Sequence, residues 1–109
     1  MWKNVGEFNV IPQKFTINGS TYNVEVLESS EKDLDGNLGD FTNLLHEIRI
    51  AKKARLDDNS EIEIPKDEIT KTYLHELGHC FNYYYNNENS EEFANAFANF
   101  MYDYFRTQL

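Results

Sequence analysis

The sequence predicts an α+β domain in which an N-terminal antiparallel β-sheet of two hairpins is followed by two helices. Three observations carry that prediction. Polar–apolar alternation is confined to the first half, a proline opens a helical period at residue 65, and a serine opens another at residue 90. With 109 residues the chain forms one domain, 1–109, with room for a single modest core.

Residues 13–18 and 21–27 alternate around Asn18-Gly19, a dipeptide suited to the two-residue turn of a hairpin. Phe15 and Ile17 share one face, and Tyr22, Val24 and Val26 share a face of the partner strand. The acidic, turn-rich stretch 29–40 reads as an exposed connection. Residues 39–42 and 47–53 then read as a second short hairpin, with Ile48 and Ile50 inward. Residues 47–53 are also the candidate free edge to which an extended peptide could add as a strand, although Lys52-Lys53 would equally serve as edge protection. Residues 57–63 read as loop.

Pro65 suits the first turn of a helix because its φ is fixed, and Asp67 and Glu68 suit the positive end of the dipole. Ile69, Tyr73, Leu77, Cys80, Phe81 and Tyr84 then fall on one side, toward the sheet. His75 and His79 fall on the opposite side with Thr72, Asn82 and Tyr83. Gly78 costs about 1 kcal/mol relative to Ala inside a helix, which a close backbone approach would justify. Residues 86–89 break the period, and Ser90 is a good N-cap for a last helix from Glu91 to about Arg106. Phe93, Ala94, Phe97, Ala98, Met101, Tyr104 and Phe105 form its apolar face and read as core.

Net charge is −9, from 10 basic and 19 acidic residues, which argues against nucleic acid and anionic membranes as partners. The single cysteine, Cys80, rules out an internal disulfide and fits a reducing compartment. Met1-Trp2-Lys3-Asn4 carries no apolar run of signal-peptide type, so a cytoplasmic location is expected.

The chemistry is concentrated in His75-Glu76-Leu77-Gly78-His79. Two histidines four residues apart share a helix face and can bind one Zn²⁺. Glu76 lies about 100° round the helix, able to reach a water at the metal without ligating it, as a general base must. A catalytic zinc needs a third protein ligand. Asn82 and Tyr85 stand where a metzincin would have Gly and His, so that solution is excluded. A carboxylate from the following helix is the other arrangement, with Glu88, Glu91 and Glu92 as candidates. Glu91 sits at the edge of the last helix's apolar face, whereas Glu92 lies directly opposite that face with Asn95, Asn99 and Asp103. The inward residue is therefore Glu91. A regular short-looped hairpin would bring His79 nearer residue 96, so the helices must cross or the first must end early. Tyr83 and His46 are candidate donors for a developing oxyanion. Cys80 points about 100° away from His79, as a buried free thiol rather than a ligand.

His75-Glu-Leu-Gly-His79 followed by Glu91-x-x-Ala94-Asn95-x-Phe97-Ala98 resembles the ImmA/IrrE family of zinc metallopeptidases, a glutamate-zincin (gluzincin) group. The segment from Ile11 to Tyr22 is similar to the opening hairpin of its small phage- or prophage-type members. The resemblance implies a minimal zincin-like domain with His75, His79 and Glu91 as zinc ligands and Glu76 as general base. The chain departs from larger members in a shorter interval between His79 and Glu91, and in Asn99-Phe100-Met101-Tyr102 after the Phe-Ala pair.

Zinc-dependent peptide-bond hydrolysis is the expected activity, on a protein or peptide substrate, a regulatory protein among the candidates. The alternative is a non-catalytic, zinc-stabilised protein-binding module, since so short a chain offers no evident wall for a substrate cleft. A metal-free interaction protein is the third reading.

Overall fold

Asn18 and Gly19 take φ of 49° and 81°. Two successive left-handed residues make the tight turn whose twist matches paired strands. Around it β1 (Lys14–Ile17) folds back on β2 (Ser20–Leu27), as the sequence predicts. The computed structural model in which this is seen describes residues 11–30, 37–56, 58, 60–86 and 90–107. Residues 31–36 of the acidic connection, and Glu88, lie outside the described residues.

A second hairpin joins β3 (Gly39–Thr42) to β4 (Glu47–Ala51). The sheet, however, is mixed. β2 and β4 run parallel, with Val24 opposite Ile48 and Val26 opposite Ile50, so the strand order is β1-β2-β4-β3. Alternation along a strand is the same for parallel and antiparallel neighbours, so the sequence pattern did not distinguish them. This order places β4 in the interior and β3 at an edge, which corrects the assignment of the free edge to residues 47–53. β4 also stops at Ala51, and Lys53 begins β5 (Lys53–Arg55), which pairs antiparallel with β6 (Glu61–Glu63). The stretch read as loop thus contains a strand, too short and too exposed for its alternation to be recognised.

One face of the four-stranded sheet gives Phe15, Tyr22, Val24, Ile48 and Ile50 to the core against α1 (Lys66–Phe81). The Pro65 carbonyl accepts from the N–H groups of Glu68 and Ile69, each at 3.0 Å, which starts the helix where the proline suggests. α1 is buried on two sides, not one. Tyr73 meets Phe15 and Cys80 meets Tyr22 on the sheet side. On the other side Gly78 meets Ala94, and Phe81 stacks on Phe93 and lies tilted against Phe97 of α2 (Glu91–Thr107).

Between the helices, Asn82–Asn86 form a π-helical turn, so α1 proper ends early. The wider turn carries the Tyr84 hydroxyl to within 2.7 Å of the buried Tyr22 hydroxyl. Asn82, expected on the polar face, is fully buried there. Ser90 caps α2, its Oγ accepting from Phe93 N–H at 3.1 Å. The deep contacts of α2 are its small residues, Ala94 and Ala98, while Phe100 and Tyr104 are 66% and 49% exposed. Of the apolar face expected in the core, Phe93, Phe97, Met101 and Phe105 are half-buried, Met101 and Phe105 against the core, and Tyr104 alone turns outward; close helix approach at Gly78 puts the alanines at the deepest contact. Among the described residues no helix is long and apolar enough to cross a membrane.

Candidate metal centre

His75 and His79 stand one helical turn apart on α1, with ring centroids 4.8 Å apart. Both turn Nε2 toward the same carboxylate. His75 Nε2 lies 3.0 Å from Glu91 Oε1, and His79 Nε2 lies 2.8 Å from Glu91 Oε2. The candidate ligand atoms all lie within 4.8 Å of one another, and among the described residues this is the one group of its kind. Two imidazole nitrogens and a carboxylate oxygen are a donor set that first-row divalent ions accept, with a coordination position left open. The group could hold a metal ion.

The fold explains the convergence. Ala94 packs on Gly78, and Glu91 precedes Ala94 by about one turn on the rim of the same helix contact. Glu92 is exposed and takes no part in the group. His79 is buried, and among the described residues its Nδ1 has no hydrogen-bond partner.

Glu76 is 8% exposed and faces the same cleft. Burial, followed by the negative charges of Asp40 and Glu91, pushes its pKa up from 4.5 to about 7. Asp40 is held in a two-point pair by Arg49, Nε to Oδ1 at 3.1 Å and Nη2 to Oδ2 at 2.6 Å.

The cleft has a volume of about 560 Å³. Residues 37–41, including the start of edge strand β3, form one wall. Lys71, Thr72, His75, Glu76 and His79 of α1 form the floor, and Glu91, Asn95, Ala98 and Asn99 of α2 form the other wall. A cleft wall thus exists in this short chain. The sequence pattern missed it because it assigns the free edge to residues 47–53 and not to β3. Asn95 and Asn99 are exposed, as expected, and also line the cleft, because both continue the Glu91 stripe at four-residue steps, as Lys71 continues that of His75 and His79. That spacing was the available signal.

Neither proposed oxyanion donor lines the cleft. The Tyr83 hydroxyl, carried off by the π-helical turn, accepts from Asn43 Nδ2 at 2.9 Å. His46 closes the β3–β4 turn with φ of 52° and stacks on Tyr22 at 4.8 Å. Cys80 is fully buried against Tyr22, and burial pushes its thiol pKa up to about 12.

The chain matches no protein-family model, no curated protein and no solved structure.

Proposed function

We propose that the protein is a zinc-dependent peptidase in which His75, His79 and Glu91 hold the ion and Glu76 is the general base. The observation that carries this reading is the convergence of two Nε2 atoms and one carboxylate beside a separate, buried carboxylate of raised pKa. A structural metal site needs ligands alone, whereas Glu76 is a proton acceptor poised near neutrality. The likeness of these helices to the ImmA/IrrE motif belongs to the same proposal.

A zinc ion bound there supplies Lewis acidity, which polarises a scissile carbonyl and acidifies a water. Glu76 accepts the proton of the attacking water and passes it to the leaving nitrogen as the peptide bond breaks. Its low-dielectric surroundings favour that exchange, because they hold the neutral and ionised forms close in energy at neutral pH.

Substrate alignment falls to β3. The Leu38 carbonyl accepts from Ala51 N–H at 2.9 Å. In this register Asp40 and Thr42 exchange bonds with β4, which leaves the N–H and C=O of Gly39 and Phe41 on the outer edge. An extended peptide can add to that edge along the cleft.

The test is metal content by elemental mass spectrometry, paired with cleavage of a peptide library. Near-stoichiometric zinc is expected in the wild type and in Glu92→Ala. Glu91→Ala should weaken zinc by more than the roughly 10–100-fold typical of losing an outer-shell partner. Glu76→Gln should keep zinc and abolish cleavage. Zinc binding with no cleavage by the wild type would instead leave a zinc-stabilised binding module.

A further inference from the structure

We infer that the Lys71 end of the cleft is a carboxylate subsite, so that the preferred peptide carries a carboxylate within about two residues of the bond that is cut. The inference rests on the peptidase reading for its substrate, and on the following placement for its chemistry.

Lys71 lies four residues before His75 on the same side of α1, about 6 Å along the helix axis. An extended peptide advances about 3.3 Å per residue, so that interval corresponds to two residues. In a chain of net charge −9, Lys71 is the one Lys or Arg among the described cleft-lining residues. Of the three acidic lining groups, Asp40 pairs with Arg49, Glu91 faces both histidines, and Glu76 is buried. Lys71 pairs with no carboxylate among the described residues. Among the described residues its recorded contact is the Tyr102 ring, with Nζ 4.7 Å from the centroid.

A cation over a half-exposed ring gains little compared with a charge-assisted hydrogen bond, so the ammonium can leave Tyr102, which does not line the cleft, for a carboxylate bound in it. Asn95 and Asn99 line the facing wall and add amide donors. The net charge of −9 disfavours a phosphate dianion more than a singly charged carboxylate. Two sources supply that group: an Asp or Glu side chain, or the free C-terminus of the peptide.

The experiment uses the full chain with zinc and an alanine-rich peptide series. Glu or Gln is placed at each position in turn, and each peptide has a free or an amidated C-terminus. Equilibrium binding and cleavage are both read. The carboxylate form of one pair should be favoured by about tenfold or more, and that ratio should fall toward one in Lys71→Gln and persist in Lys71→Arg. A ratio confined to the Glu/Gln pairs identifies an internal side chain, and one confined to the acid/amide pairs identifies a carboxypeptidase-like end. A ratio near one in the wild type overturns the subsite, and so does a ratio unchanged in Lys71→Gln, which would mean that the metal takes the carboxylate. Carboxylate-selective binding without cleavage of any peptide upholds the subsite and overturns the peptidase reading.

Discussion

Gly78 and Ala94 touch backbone to backbone, and that contact decides where Glu91 falls. A Cβ on Gly78 would stand 3.1 Å from Ala94 Cα and 3.1 Å from Phe97 Cδ2. Overpacking of this kind typically costs about 1–3 kcal/mol, against about 1 kcal/mol of helix propensity regained. Gly78→Ala should therefore destabilise the zinc-free protein by about 1 kcal/mol and push α2 away from α1, weakening zinc. Urea melts and chelator competition measure the two effects. Wild-type behaviour in both would mean that this contact does not set the site.

The buried Glu76 links stability to pH in a direction opposite to that of a paired carboxylate. Its pKa rises from 4.5 to about 7 on folding, so between those values the folded chain holds a proton that the unfolded chain has released. Its contribution to the stability of the metal-free protein therefore falls as pH climbs through that window and stays low above it. Glu76→Gln removes the effect. The variant should be more stable than the wild type by up to about 3 kcal/mol at pH 8, with little difference at pH 4. Paired denaturant titrations across pH, in chelator, give the difference curve. A curve that is flat, or that rises toward acid, would contradict the burial of an ionised Glu76 as its cause.

What could be read from the sequence was local. Asn18-Gly19 encodes its own turn, Pro65 and Ser90 start their helices, and the four-residue spacing of His75 and His79 survives any tertiary arrangement. Glu91 could be favoured over Glu92 because a helix rim is itself a local property. The parallel pairing of β2 with β4 could not be read, since nothing within either strand encodes its neighbour's direction. The free edge was misplaced for that reason. The helical wheel puts Tyr83 on the metal side and His46 precedes a strand, but a π-helical turn takes Tyr83 to Asn43, and His46, itself a left-handed turn residue, stacks on Tyr22.

Cys80 should behave as core and not as a reactive thiol. It is fully buried, and its thiol pKa near 12 leaves almost no thiolate at pH 8. Iodoacetamide labelling at pH 8, followed by intact mass, should run roughly a thousandfold slower in the folded protein than in urea. Labelling at comparable rates would place Cys80 at the surface and reopen it as a ligand beside His79.

The free edge of β3 makes a prediction with a period. Gly39 and Phe41 direct their backbone groups outward while Asp40 and Thr42 bond to β4, so an added strand can pair with β3 only at alternate positions. N-methylation of a cleaved peptide, moved one residue at a time, should therefore reduce kcat/KM at every second position and spare those between. Each lost backbone bond is worth about 1 kcal/mol, or about fivefold, and more where the methyl also blocks approach of the strand. Uniform sensitivity, or sensitivity at a single residue, would mean that the peptide is held by its side chains and the metal rather than by β3. In that case the outward groups of Gly39 and Phe41 would be an edge left to solvent, and the cleft would select substrates without strand addition.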